Sequence, residues 1–316
     1  MYKGNSVGVV VPAYNEELLI SRVIDTMPDY VDHIIVVNDH SRDRTAEIVQ
    51  EYVECSKGRV VLISLSFNQG VGGAIAEGYK WCRDNEIAVS AVMAGDAQMD
   101  PNDLSALLDP VVTGEVDYSK GNRLISGEAW QEVPRVRYLG NSVLSLLTKI
   151  ASGYWHVADS QTGYTAANLK VLKTLNLDDI YKHYGMPNDM LVKLNIFNFR
   201  VRDVEIKPIY GIGEKSGIKP LRMIPRLSWL LFKLFIYRMV QKYVIRDFHP
   251  LIFFYMFGFG LNFIGFFLII RLFYYWITYG HIPPINTLAV MFSVFMGMQM
   301  LLFAMWFDMD SNKHLR

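Results

Sequence analysis

The 316-residue chain has two cysteines, Cys55 and Cys82, too few for a disulfide framework and in keeping with a reducing compartment. Acid is missing altogether from residues 219–246, which carry seven bases: Lys219, Arg222, Arg226, Lys233, Arg238, Lys242 and Arg246. Charge of either sign is missing from 251–270, a run of 20 residues, and from 285–307, a run of 23. Each run reaches the roughly 20 residues that a helix needs to cross about 30 Å of hydrocarbon. One such run could be the core helix of a soluble protein. Two, separated by "RLFYYWITYGHIPP", read as a membrane hairpin, with Arg271 at the end of the first span, where its stem can snorkel. Internal repeats and low-complexity tracts are absent too. The opening "MYKGNSVGVVVPAYNEE" has an apolar stretch of six residues, too short for a signal peptide, and none is expected.

The formal charge of zero hides an asymmetry: residues 1–218 carry 28 acids and 21 bases, a net of −7. No nucleic-acid partner is expected. The basic segment beside the apolar runs sets their orientation, because lysines and arginines flanking membrane spans stay on the cytoplasmic side. Residues 1–250 are therefore expected in the cytoplasm, and a hairpin returns the 310–316 tail to the same side. Within 219–249, Arg222, Arg226 and Lys233 fall within about 40° on a helical wheel, and Arg238, Lys242 and Arg246 follow at i, i+4, i+8. Two basic amphipathic helices lying on an anionic leaflet are expected.

Strand and helix signals alternate through the first 120 residues. Strands are expected at 7–12, 33–39, 59–65 and 87–94, and helices at 16–27, 42–54 and 72–84. Short β-branched runs alternating with helical periods predict a mostly parallel sheet covered on both faces. Helices over 133–151 and 190–199 and a strand over 199–210 complete the domain, which ends near 218. In sheets of this kind ligands bind beyond the carboxyl ends of the strands. Four strand ends then converge on one face: "PAYNEE" with Pro12, Ala13, Tyr14 and Glu16; "NDHSRDRT" with Asp39; "FNQGVGGA" with Asn68 and Gly70; and "GDAQMD" with Asp96. The glycines let backbone approach a ligand closely and open a helix whose N–H groups favour anions, although the same run reads equally as a tight strand-to-helix turn. Asp96, Gln98 and Asp100 alternate and, in an extended segment, could share one hard cation, Mg²⁺ or Mn²⁺, completed by phosphate and water. For Asp100 a second role stays open, since "DPNDL" also reads as a helix cap followed by proline.

"VVVPAYNE", "VVNDHSRDRT", "NQGVGGAI" and "GDAQMDP", in this order, resemble the nucleotide-binding half of family 2 glycosyltransferases of the GT-A fold, over roughly 7–215. With the hairpin added, the chain resembles the polyprenyl-phosphate glycosyltransferases of the dolichyl-phosphate mannose and glucose synthase group. The resemblance implies an α/β GT-A domain at 1–218, juxtamembrane helices at 219–249 and a hairpin at 250–309. It implies a nucleotide-sugar donor, UDP- or GDP-linked, and a dolichyl or undecaprenyl monophosphate acceptor, in a prokaryotic plasma membrane or the endoplasmic reticulum membrane. Homo-oligomerisation through the hairpin is implied by resemblance alone. Pro12, Tyr14, Glu16 and Asp39 match residues holding base and ribose, and Asp96 matches the first acid of the family's D-x-D metal signature. Gln98 departs from the second, a weaker, neutral ligand. "KGNRL" places Arg123 near the phosphates, and Arg137, rather than Arg135, matches an arginine that binds the lipid phosphate. "ADSQTGY" gives Asp159, Gln161 and Gly163 beside the sugar, "MPNDM" gives Asp189 where related enzymes carry an acidic base, and "YGIGEKSGIK" resembles a closing loop with Lys215 as its cation. A processive polysaccharide synthase on the same fold is the nearest rival, but no Q-x-x-R-W motif occurs in the chain. A non-catalytic membrane-docked nucleotide-binding protein is the rival of another class.

Overall fold

The computed structural model describes residues 1–124, 135–207 and 220–316, with backbone alone over 135–141 and 220–224. It divides into two compact units, 1–235 with 315–316, and 236–314.

The first unit is built on strands β1 (Val7–Ala13), β2 (His33–Asn38), β3 (Val60–Ser64), β4 (Val89–Val92), β5 (Tyr118–Asn122), β6 (Thr165–Asn168) and β7 (Val201–Glu205). They form one seven-stranded sheet in the order β3-β2-β1-β4-β6-β5-β7. Every pairing is parallel except the two made by β6, which runs antiparallel between β4 and β5. The Val/Ile runs of β1 and β2 are buried because helices cover both faces of the sheet, leaving no solvent side to alternate with. Those helices include α1 (Ile20–Asp25), α2 (Thr45–Cys55), α3 (Val71–Asp84), α4 (Leu104–Val112), α5 (Arg135–Ser152), α6 (Leu169–Thr174) and α7 (Met186–Ile196). One core cluster joins α1, α2 and α4 to one face, and another joins α3, α6 and α7 to the other.

Three differences from the expected elements have local causes. Helix α1 is shorter than 16–27, because Asn15 takes φ 58° and the Glu16 amide donates to Thr45 Oγ1 at 2.9 Å, which pins the first residues as a loop. Strand β6 and helix α6 were not expected. "TAAN" is too short to show a period, and Asn168 ends it by capping α6 through the Val171 amide. Helix α8 (Pro220–Val240) is one helix that runs into a π-helical turn, Gln241–Arg246, in place of two amphipathic helices.

The second unit is a pair of long helices, α9 (Leu251–Tyr279, 29 residues) and α10 (Pro284–Ser311, 28 residues), preceded by the end of α8 and the π turn. At 1.5 Å per residue they are about 43 and 42 Å long, enough to cross a bilayer. Small residues bring them together: Gly258 lies against Leu301, and Gly297 against Asn262. Arg238 and Lys242 do not form an outward basic stripe. Arg238 is 0 % exposed and makes a two-pronged ion pair with Asp308, Nη1–Oδ1 2.8 Å and Nη2–Oδ2 2.9 Å. Tyr243 Oη donates to Asp308 Oδ1 at 2.7 Å, and Lys242 Nζ donates to Asn312 Oδ1 at 2.7 Å. Burial, and then the Arg238 guanidinium, push Lys242 down to about 7.

Candidate active site

The carboxyl end of β1 is the centre of the strand-end face. Its Ala13 carbonyl accepts from the Asp39 amide (2.9 Å) on the β2 side, and its Pro12 carbonyl accepts from the Gly95 amide (3.2 Å) on the β4 side. The backbone thus places Asp39 and Asp96 on either side of the "PAYNE" turn. Tyr14, 45 % exposed, projects from that turn, whose Asn15 Oδ1 accepts from the Arg42 amide at 2.8 Å.

Asp39 is buried, and its two oxygens accept the amides of Gln69 (2.6 Å) and Gly70 (2.8 Å). Asn68 Nδ2 returns a bond to the Asp39 carbonyl at 3.2 Å. The glycine turn therefore has a partner of its own. Gly72 N donates to the Lys182 carbonyl at 2.9 Å, and a Cβ on Gly72 would run into the Tyr181 carbonyl oxygen. The close approach that glycine permits here is to the Tyr181–Lys182 backbone, which takes an amide expected to face an anion.

Asp96 opens a turn in which its Oδ1 accepts from the Gln98 amide (3.2 Å) and Ala97 takes φ 57°. Glu16 is close enough to feel it. Burial first, then the Asp96 and Asp43 carboxylates, lift Glu16 from 4.5 to about 7. Of the two roles open to Asp100, the structure shows the cap: its Oδ1 accepts from Asn102 N and Nδ2, both at 2.9 Å, ahead of Pro101–Asp103. Among the described residues no group of three or more His, Cys, Asp or Glu side chains is arranged to hold a metal ion. The donors around Asp96 nonetheless fit one kind of cation. One carboxylate, the amide of Gln98 two residues on and an acid kept partly protonated, by burial first and then by its neighbouring carboxylates, suit a hard ion that draws its other ligands from phosphate and water.

The second half of the site comes from β5 and from the segment entering β6. Because β6 is antiparallel to β4, with Thr165 beside Val92, its incoming segment 158–164 reaches the same edge as Asp96. There Gly163 lies beside Met99, and Tyr164 Oη donates to the Asp100 carbonyl at 3.0 Å. Arg123, one residue beyond β5, forks onto Asp159 with Nε–Oδ2 2.7 Å and Nη2–Oδ1 3.1 Å. The amides of Arg123 (3.2 Å) and Gln161 (3.1 Å) add two more bonds to that carboxylate. Burial, the largest single influence, raises the Asp159 carboxyl, but the charge and hydrogen bonds of Arg123 together with the charge of Lys120 hold the group below its ordinary value. Gln161 Nε2 reaches Asn188 Oδ1 at 3.3 Å, and Asn188 also accepts from Thr148 at 3.1 Å.

Asp189 is ion-paired within its own helix. It sits in the first turn of α7, 4 % exposed, with Oδ2 accepting from Lys193 Nζ (2.7 Å) and the Tyr181 amide (2.8 Å). These contacts brace the backbone that closes on the glycine turn. Arg135 and Arg137 begin α5, but their side chains, like the whole of Lys215, lie outside the described residues. Sequence reading missed Lys120, which is buried, and Asp203, half-buried, both of which interact electrostatically with Asp159; the one signal was a lysine inside the strand "YSKGN".

Comparison with known proteins bears on the family and the fold. The UDP-N-acetylglucosamine–dolichyl-phosphate N-acetylglucosaminyltransferase of Methanococcus voltae is 30% identical over 214 residues, 64% of this chain and 85% of that protein. The polyprenol monophosphomannose synthase of Mycolicibacterium smegmatis is 28% identical over 217 residues, 66% of this chain and 80% of that protein. Among solved structures, glucosyl-3-phosphoglycerate synthase of Mycobacterium tuberculosis, bound to Mn²⁺, uridine diphosphate and glucosyl-3-phosphoglycerate, shares the fold. Its TM-score is 0.53 at 22% identity, covering 74% of this chain and 80% of that one. Residues 8–175, more than half of the chain, match the family model described as glycosyl transferase family 2, and the chain belongs to that family.

Proposed function

We propose that this glycosyltransferase moves a monosaccharide from a nucleotide-sugar, UDP- or GDP-linked, to a polyprenyl monophosphate, dolichyl or undecaprenyl, at the cytoplasmic surface of a membrane that α9 and α10 span. The observation that carries the reading is the meeting of two unlike half-sites on one sheet edge. The acidic Glu16–Asp96 corner suits a cation and a diphosphate, and Arg123, aimed by Asp159, supplies fixed positive charge beside it. The names of the relatives support the acceptor class, and the two apolar helices support the anchor.

A lipid monophosphate with a second pKa of about 6 is largely ionised at neutral pH, so its oxygen can attack the anomeric carbon without a strong general base. Direct attack inverts that carbon. The residues then have to hold two anions close together and meet the charge that grows on the leaving nucleoside diphosphate. A bound Mg²⁺ or Mn²⁺, held by Asp96 with Gln98, would supply charge stabilisation on the diphosphate. Arg123 adds a fixed cation whose direction Asp159 sets. Pro12, Ala13, Tyr14 and Asp39 shape the nucleotide end, where Asp39 acts by fixing the 68–70 turn. Gln161 and Gly163 face the sugar, Arg137 and Lys215 add cations for the lipid phosphate and the donor, and Asp189 braces the site through Tyr181.

Full-length protein in lipid nanodiscs, given radiolabelled nucleotide-sugars, a short polyprenyl phosphate and Mn²⁺, tests the reading. A lipid-linked monosaccharide of inverted configuration is expected. A long polymer would establish a processive synthase instead, and tight nucleotide binding with no product would establish a non-catalytic binder.

A further inference from the structure

Lys120 occupies the middle of β5, between β6 and β7, and is 1 % exposed. A charge in that position loses its hydration, and an apolar side chain of the same length would fill the space without that cost. Its surroundings explain why the charge is tolerated. Lys120 Nζ donates to the Thr162 carbonyl, and Asp203 is its register partner across the β5–β7 pairing. Burial, the largest influence, lowers Lys120 to about 8; Asp159 and Asp203 oppose it by favouring the charged form, and Arg123 acts in the same direction as burial. Asp203 Oδ2 accepts from Asn122 Nδ2 (2.6 Å) and the Ala158 amide (2.7 Å). Its Oδ1 is buried with no hydrogen-bond partner. Along this line, charges alternate from Arg123 through Asp159 and Lys120 to Asp203, two of each sign.

We propose that Lys120 and Asp203 are positioning residues: the inner half of a four-charge chain that holds Asp159 and the 158–162 segment, and through them Arg123, in the geometry the transfer needs. Lys120 grips that segment at its far end through Thr162, while Asp203 grips its start through Ala158. Asp159 lies between those grips and forks onto Arg123. Neither inner residue touches substrate. Removing one inner charge leaves an odd charge under Asp159 and lets the fork swing. Removing both restores electrical balance.

The inference rests on the proposed sugar transfer, and its test separates the two. In full-length protein in nanodiscs, Lys120→Met is expected to lower kcat at least tenfold while the KM for nucleotide-sugar changes less than threefold. The double variant Lys120→Met/Asp203→Asn is expected to recover at least threefold over Lys120→Met, because the pair is coupled; a purely structural loss would compound. A Lys120→Met protein within twofold of wild type, or a double variant no more active than Lys120→Met, overturns the proposal. Asp203→Asn alone, nearly isosteric, serves if Lys120→Met does not fold. Hydrogen exchange of the Arg123 and Gln161 amides, both bound to Asp159, should then accelerate at least tenfold, and unchanged exchange overturns the proposal. Wild-type protein that transfers no sugar would refute the proposed function, and the exchange measurement would still decide the charge chain.

Discussion

Replacing Asp308 by alanine should unfold the second unit far more readily than its place at the end of an apolar helix suggests. The carboxylate receives two N–H···O bonds from Arg238, and its Oδ1 also accepts from Tyr243 Oη (2.7 Å) and Asn312 Nδ2 (3.0 Å). Both ion-pair partners are 0 % exposed. Without Asp308, Arg238 remains buried, and an arginine does not shed its proton to relieve the cost. Breaking a buried pair by removing one partner costs about 3–5 kcal/mol, against a typical whole-domain stability of about 5–15 kcal/mol. We expect about 4 kcal/mol from equilibrium denaturation of the full-length protein in mixed micelles, followed by the fluorescence of Trp276 and Trp306. Asp310→Ala is the internal control. Its ion pair with Lys313 is exposed at 63 % and 71 %, and its loss should change stability by less than about 0.5 kcal/mol. Arg238→Met/Asp308→Leu, which removes both charges, should return to within about 1 kcal/mol of wild type. An Asp308→Ala protein within about 1 kcal/mol of wild type would refute the reasoning, as would a double variant no more stable than the single.

Further predictions concern the first unit. Glu16 is lifted to about 7, so between about 4.5 and 7 the folded state holds a proton that the unfolded chain releases; its ionisation costs stability progressively through that window and fully above it. A cation at Asp96 favours the ionised form, so Mn²⁺ binding in the presence of UDP should release a proton at pH 6 but not at pH 8. Calorimetry in buffers of different ionisation enthalpy reads this directly, and equal proton release at both pH values would contradict it. Asp96→Ala should abolish transfer with melting unchanged, whereas Asp100→Ala should cost about 1 kcal/mol through its lost cap and less than threefold in rate. Equal loss of rate in both would return Asp100 to the cation. Gly72→Ala should cost about 2 kcal/mol, because its Cβ meets backbone at Tyr181 that cannot rotate aside; a denaturation midpoint equal to wild type would show that this backbone yields.

The sequence by itself determined whatever depends on neighbours along the chain. Hydrophobic period placed β1 to β4 and α1 to α3 to within a few residues, and the parallel sheet followed. That sheet determines which strand ends share a face, and so brings Pro12, Asp39 and Asp96 together. Two uncharged runs announced α9 and α10. What only the tertiary structure decided involves partners far apart in sequence, where no local pattern carries the information. The antiparallel insertion of β6 delivers Asp159 to Arg123, the passage of Tyr181–Lys182 across the glycine turn takes an amide expected to face a ligand, and the 70-residue reach from Arg238 to Asp308 turns a supposed surface stripe inward. A charged side chain looks the same in a sequence whether it meets water or a counter-charge. Only folding, by removing the water, decides which of the two it needs.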